Sequence, residues 1–375
     1  MASPISSRTF GVLPDGQTVE AWMLAGRGGL VLEAITYGGI VTRILAPDRN
    51  GNAGDVVLGF NDLGSYLNGH PYFGAITGRV AGRISDAAFT LDGNTYRLAR
   101  NDSPNHLHGG IEGFDKRLWK ARPVDREDGA PSLRLSYDSP DGEEGYPGNV
   151  RVAVTYTVTN QNAFMIETEA VSDRTTPLSM THHSYFNLAG ESSGSIADHR
   201  LEIFASEFVP VDEHLTATGR LEPTSLHGSV FQTPRRVGDV IGQLYQGHGD
   251  LYALPKRNGS EMRMAARLED PESGRVMTVS TTEGYLQLYT GSHLNCSTKG
   301  KSGVAYARHA GICLECEGYP DAANAARRNN ILLQPGQTQR HTTAYAFSVR
   351  SANAARNDKS ARSASESHHE GTSHQ

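Results

Sequence analysis

The sequence is poor in the residues that build covalent or metal frameworks. Only three cysteines occur in 375 residues, Cys296, Cys313 and Cys316. An odd number crowded near one end excludes a disulfide framework and suits a reducing compartment. No basic block exists: 35 Lys and Arg stand against 41 Asp and Glu, for a formal charge of −6. Nucleic acid is therefore not an expected partner. No apolar run reaches the roughly 18 residues of a membrane span, and Met1 to Glu20 lacks a signal-type stretch, so a cytoplasmic, unanchored protein is expected. No segment carries a long amphipathic helical pattern, no glycine-rich loop has phosphate-binding spacing, and no Gly-x-Ser-x-Gly elbow occurs. Nucleotide cofactors and serine-hydrolase chemistry lose their usual signatures.

What the chain does have is short period-two alternation. In Val150 to Val158, one face collects Val150, Val152, Val154, Tyr156 and Val158, and the other Arg151, Ala153, Thr155 and Thr157, which predicts a strand with one buried side. Leu133 to Tyr137, Met165 to Val171, Val276 to Ser280, Tyr285 to Thr290 and Tyr345 to Val349 read the same way. Phe89-Thr90-Leu91 and Thr95-Tyr96-Arg97-Leu98, joined by Asp92-Gly93-Asn94, predict a hairpin. The fold class is all-β, and many antiparallel strands without a linker-like break favour one large β-sandwich over residues 1–350. Residues 351–375 contain six serines and no Val, Ile, Leu, Met or aromatic residue, so this tail is expected to be disordered.

Four clusters place ionisable residues beside glycines and aromatics. Gly78-Arg79-Val80-Ala81-Gly82-Arg83 interleaves two arginines with small residues; a surface turn with solvated arginines would read the same. Asn105-His106-Leu107-His108-Gly109-Gly110 carries two histidines at i, i+2. A zinc site needs three or four ligands, and no cysteine stands at a matching spacing, so a hydrogen-bonding histidine in a glycine loop is favoured and no metal is expected. Thr181-His182-His183-Ser184-Tyr185-Phe186 sets a histidine pair against aromatics that can exclude water. A backbone-satisfied core histidine competes with a proton donor there. In Gly311-Ile312-Cys313-Leu314-Glu315-Cys316-Glu317, a strand would put Cys313, Glu315 and Glu317 on one face and Ile312, Leu314 and Cys316 on the other. An exposed strand face is the plain alternative. Together the clusters supply a carboxylate, imidazoles and a guanidinium, the parts for acid–base chemistry without a cofactor.

With Tyr37-Gly38-Gly39, Pro47-Asp48-Arg49, Asp55-Val56-Val57-Leu58-Gly59-Phe60 and Tyr72-Phe73-Gly74 added in order, the chain resembles the aldose 1-epimerase (galactose mutarotase) family from about residue 8 to 349. The resemblance implies a large antiparallel β-sandwich and interconversion of the α and β anomers of a free aldohexose, a small-molecule partner. By motif, Glu315 resembles the general base at the anomeric hydroxyl and His183 the general acid at the ring oxygen. His108 resembles the family's second histidine, and Arg83 the arginine that steadies the ring oxygen and a neighbouring hydroxyl. Asp250 and Gln287 resemble ligands of sugar hydroxyls. A monomer and a dimer are both compatible with this reading.

Three positions depart from the pattern: Gly82 where Asn often precedes the arginine, Leu251 where His often follows the aspartate, and Glu317 where Gln is common. They bear on sugar preference rather than on the acid or the base. Two other functions compete. A glycoside hydrolase would use paired carboxylates from Glu315, Glu317 and Asp250, although two carboxylates on one strand face do not easily straddle a bond. A sugar-binding sensor that has lost catalysis would keep the fold without the turnover.

Overall fold

A computed structural model describes residues 4–227, 231–244, 249–256, 261–297, 299–324 and 331–350. The tail 351–375 lies outside the described residues, and so does the expectation attached to it. β-Branched and aromatic alternation produces strands where the sequence places them: Ser132–Ser139, Val150–Val158, Ala163–Ser172, Arg275–Thr281, Tyr285–Tyr289 and Thr338–Val349. The hairpin forms from Ala88–Leu91 and Asn94–Arg97. Among the described residues the longest helix is Leu63–Leu67, started by Asp62, whose carboxylate accepts the Ser65 N–H at 2.9 Å.

Three sheets carry most of the strands, all paired antiparallel. Ile5–Val12, Thr18–Ala25, Val31–Ile35, Val41–Pro47 and Ala53–Asp55 follow one another in a five-stranded meander. The nine-stranded sheet runs in the order Lys120–Val124, Ser132–Ser139, Val150–Val158, Ala163–Ser172, Thr338–Val349, Arg275–Thr281, Arg263–Glu269, Arg200–Ile203 and Arg235–Arg236. Its C-terminal strand, Thr338–Val349, is inserted between Ala163–Ser172 and Arg275–Thr281. A second five-stranded sheet ends in Leu251–Ala253, Tyr285–Tyr289 and Cys313–Glu317. One apolar core joins the three: Leu24, Leu32 and Ile44 from the first, Leu135, Val152 and Val154 from the second, and Leu286, Leu288 and Leu314 from the third.

Val150–Val158 is more enclosed than its alternation implies. Ala153 and Thr157 on the second face are also buried, and the Thr157 hydroxyl shares a 2.8 Å hydrogen bond with that of Ser132 across the sheet. The outer face is partly covered, so a binary pattern understates its burial.

The loop at 299–305 is tied to the N-terminal sheet by a buried cation. Lys301 Nζ donates to Asp55 Oδ2 at 2.7 Å and to the carbonyls of Thr42 and Val57 at 2.8 and 2.7 Å. Its side chain is enclosed, and burial draws its pKa down while Asp55 opposes that shift. Removing one partner leaves the other charge buried and unmatched. Lys301→Met is therefore expected to lower the unfolding free energy by about 3 kcal/mol. Urea denaturation followed by fluorescence measures it, and a change under about 0.5 kcal/mol, the scale of an exposed ion pair, would contradict the assignment.

Candidate active site

The strand Cys313–Glu317 supplies the floor. Extended backbone sends Leu314 and Cys316 into the main core and Cys313, Glu315 and Glu317 to the opposite face. That face is not exposed: all five residues are buried, with Glu315 2% and Glu317 1% accessible. The Tyr345 hydroxyl donates to the Leu314 carbonyl at 3.0 Å and the Thr181 hydroxyl to that of Cys316 at 2.9 Å, which fixes the strand from the core side. Cys313 and Cys316, three residues apart, point to opposite faces and are free thiols.

His183 arrives on the segment after Thr181–His182, which pairs with Ile76–Thr77. Its N–H donates to the Ala75 carbonyl at 2.9 Å, and its carbonyl accepts the Gly74 N–H at 3.0 Å. Thus anchored, the ring places Nε2 3.5 Å from Glu315 Oε2 and Nδ1 3.5 Å from Cys313 Sγ. Tyr185 and Tyr72 stack on it, with centroids at 5.1 and 5.7 Å. The adjacent His182 points the other way, among Tyr156, Phe164 and Tyr345, and bonds the Ser184 hydroxyl at 2.7 Å.

Arg83–Ile84 pairs with His106–Leu107, which brings the arginine and His108 to one wall. His106 and His108 then part company. His106 is locked between the Ala99 carbonyl and the Tyr146 hydroxyl, both at 2.8 Å. His108 has φ of 50°, which turns its ring toward His183 at 5.2 Å. The turn is set by Gly109, where φ is +89° and a Cβ would fall 1.7 Å from the Gly78 carbonyl oxygen. Arg79 is no solvated surface residue: it is buried, and its guanidinium donates to the Ser139 hydroxyl and to the carbonyls of Ser139, Pro140 and Pro147. Arg83 Nε is held by Asp102 Oδ2 at 2.7 Å.

These residues line one cavity, with Arg83, His108, His183, Gln287, Glu315 and Glu317 on its walls and Tyr72, Tyr185 and Tyr289 among its apolar surfaces. Five of the six site residues named from sequence meet there. The sixth, Asp250, is buried but not on the wall; its Oδ2 accepts the Tyr252 hydroxyl at 3.4 Å, one position along from the Leu251–Gln287 pair. Tyr72, Cys313 and Asp102 carry no assigned role in the sequence reading. The φ of 62° that turns Tyr72 between the two histidines has no sequence signature in a non-glycine residue.

Burial dominates the electrostatics. It pushes the Glu315 carboxyl up to about 8, against an opposing pull from Arg83, and draws His183 down to about 4. Between these limits the Glu315–His183 pair holds one proton. One nitrogen from each of His108 and His183 and one oxygen of Glu315 lie within 4.8 Å of one another, a set that could approach a cation. The Gly82 N–H, however, donates to His108 Nδ1 at 3.2 Å, so the neutral ring carries its proton on Nε2, facing the cavity. A metal-binding histidine needs that lone pair free and its other nitrogen donating. The arrangement fits proton traffic better than ligation.

A model of the aldose 1-epimerase family matches residues 20–346. The chain is 42% identical to the galactose mutarotase of Sus scrofa, covering 92% of this chain and 99% of that one, and 42% identical to the human galactose mutarotase, covering 93% and 100%. It is 31% identical to the aldose 1-epimerase of Escherichia coli K12 over 91% of this chain and 99% of that enzyme. Among solved structures, an aldose epimerase homologue from C. elegans superposes with a TM-score of 0.80 at 28% identity, covering 87% of this chain and 98% of that one.

The two shifted groups make stability pH-dependent in opposite senses. Glu315 binds its proton more tightly folded than unfolded, so the stability it contributes is present below the usual carboxyl range and is lost as pH rises through about 8. His183 binds its proton less tightly folded, so its contribution is present above about 6.5 and is lost as pH falls toward about 4. Glu315→Gln is expected to raise the thermal midpoint at pH 8.5 by about 3 °C more than at pH 5.5. Equal gains at the two pH values, by differential scanning fluorimetry, would show that Glu315 holds no unusual proton.

Proposed function

The chain belongs to the aldose 1-epimerase family and interconverts the α and β anomers of free aldohexoses; from that premise we propose that Glu315 and His183 are its base and its acid. The observation that carries the assignment is their apposition, 3.5 Å between Nε2 and Oε2, both buried on one cavity wall. In the working state Glu315 is ionised and His183 protonated. Glu315 takes the proton of the anomeric hydroxyl, His183 gives its proton to the ring oxygen, and the C1–O5 bond breaks to leave an open-chain aldehyde. Glu315 is now protonated and His183 neutral. Rotation about C1–C2 presents the other face of the carbonyl to the C5 hydroxyl. Reclosure returns that hydroxyl's proton to His183 and the Glu315 proton to the new anomeric oxygen.

One proton therefore serves both half-reactions, passing from His183 to Glu315 by way of the sugar and back. This is the proton count that the pair holds between about 4 and 8. Neither state carries net charge, but burial favours the one with Glu315 protonated and His183 neutral, so the ionised pair is the less populated and more reactive form. The Cys313 thiol, which burial keeps protonated, can donate to a bare His183 Nδ1 or accept from a protonated one.

The remaining wall residues have proposed binding roles. His108, through Nε2–H, and Arg83 offer donors to the ring oxygen and a neighbouring hydroxyl. Gln287, directly across the sheet from Glu315, offers an amide to a further hydroxyl. Asp250 joins it by exchanging its long Tyr252 bond for a sugar hydroxyl. Tyr72, Tyr185 and Tyr289 exclude water and present apolar faces to the sugar's C–H groups. We place residues 1–350 in one catalytic unit, on the common core of the three sheets. The cytoplasm is its proposed compartment, suited to three free thiols; no helix among the described residues is long and apolar enough to cross a membrane.

Polarimetry of freshly dissolved α-D-glucose and α-D-galactose tests the assignment. The protein is expected to speed relaxation without moving the final rotation, and Glu315→Gln and His183→Asn each to lower kcat by about 10²–10⁴. Near-wild-type turnover in either variant would remove that residue from the mechanism.

A further inference from the structure

Glu317 is left over by this chemistry. It lines the cavity, is 1% accessible, and neither of its carboxyl oxygens has a hydrogen-bond partner among the described residues. A buried carboxyl so placed is costly unless something meets it. The residue across from it cannot: Gly82 has φ of +72°, and a Cβ there would stand 2.8 Å from Pro320 Cβ. Glycine is required, and the point where its side chain would begin lies 3.5 Å from Glu317 Oε1. Glu317 thus faces bare backbone on the cavity side.

The charged groups around it are committed elsewhere or carry the same sign. Glu315 sits two residues along on the same strand face. Glu283, from the turn preceding Tyr285–Tyr289, lies close enough to repel it and is itself 3.2 Å from His341 Nδ1. Arg83, from the opposite wall, is held through Nε by Asp102 at 2.7 Å, and none of its donors bonds Glu317. Burial and the two neighbouring carboxyls push the Glu317 carboxyl well up, so that unmatched it keeps a proton, and an arriving cation would draw that proton off.

Strand direction says which part of the sugar Glu317 meets. Cys313, Glu315 and Glu317 follow one another along one face, and His183 is moored over the Cys313 end, with Nδ1 at Cys313 and Nε2 at Glu315. The anomeric carbon of a pyranose has two ring neighbours, the ring oxygen and C2. With the anomeric hydroxyl at Glu315 and the ring oxygen turned to His183, C2 lies on the remaining side, toward Glu317. Resting on that acid–base assignment, we propose that Glu317 recognises the substituent on C2 and that the substrates of this enzyme include 2-amino-2-deoxyhexoses. A hydroxyl offers Glu317 one donor; an ammonium offers three and the opposite charge, in a site where charge-assisted bonds are strong.

The test follows the optical rotation of fresh α-D-glucosamine hydrochloride and α-D-glucose with the full chain near pH 6, where the amine is charged. The wild type is expected to accelerate both. Glu317→Gln, of the same shape, is expected to lower the glucosamine-to-glucose ratio of kcat/KM by about tenfold or more, whereas Glu317→Asp keeps most of it. Because each ratio is taken within one protein, a reduced folded fraction cancels. A ratio in Glu317→Gln within twofold of wild type, or a wild type that accelerates glucose alone, overturns the proposal. Acceleration of neither sugar overturns the acid–base reading beneath it as well.

Discussion

The burial of a carboxyl and an imidazole side by side, with one proton between them, is the constraint on which the rest of this molecule turns. Glu315 and His183 are 2% and 3% accessible, and Glu315 Oε2 has no hydrogen-bond donor among the described residues. In water neither group would be unusual; enclosed, each resists its charged form, and a substrate between them gives the proton a route from one to the other. The surrounding structure serves to keep the pair dry and apposed. Cys313–Glu317 is bonded from behind by Tyr345 and Thr181, His183 is fixed on both sides of its peptide by Gly74 and Ala75, and three tyrosines wall the space in front.

Such a site is destabilising in isolation, since orphaned buried carboxyl oxygens sacrifice hydration without replacement. Three sheets sharing one core offset that. The C-terminal strand helps by entering the middle of the nine-stranded sheet rather than its edge, bonding Ala163–Ser172 on one side and Arg275–Thr281 on the other. Strain sits close to the chemistry: Tyr72 and His108, neighbours in the cavity, both have positive φ. Their side chains converge from backbone held in a sparsely populated conformation, beside His108 by the tight approach of Gly109 to Gly78.

The resemblance picked out Glu315 and His183 by their motifs, yet residues of equal appearance had different fates. His182 and His183 are both histidines in a polar–aromatic segment, and extended backbone sends successive side chains to opposite faces, so one enters the core and the other the cavity. His106 and His108 should share a face by the same rule, and the positive φ of His108 breaks it. Arg79 and Arg83 differ in what reaches them: four acceptors from distant segments capture the first, whereas Asp102 leaves the second at the cavity. The fate of the two arginines is not a local property, since it depends on contacts across 19 or more residues of sequence.

By itself, the sequence determined the all-β class, the position of the main strands and the chemical types available to the site, because alternation, turn residues and motif order are local and periodic. Tertiary structure decided which histidines and which arginine line the cavity, that the carboxylate face of Cys313–Glu317 is enclosed rather than exposed, and that Glu317 is buried without a partner among the described residues. The physical reason is that burial and proton affinity come from packing between segments far apart in the chain. Composition lists the titratable groups, and the fold sets the solvation and the neighbours that decide what each one does.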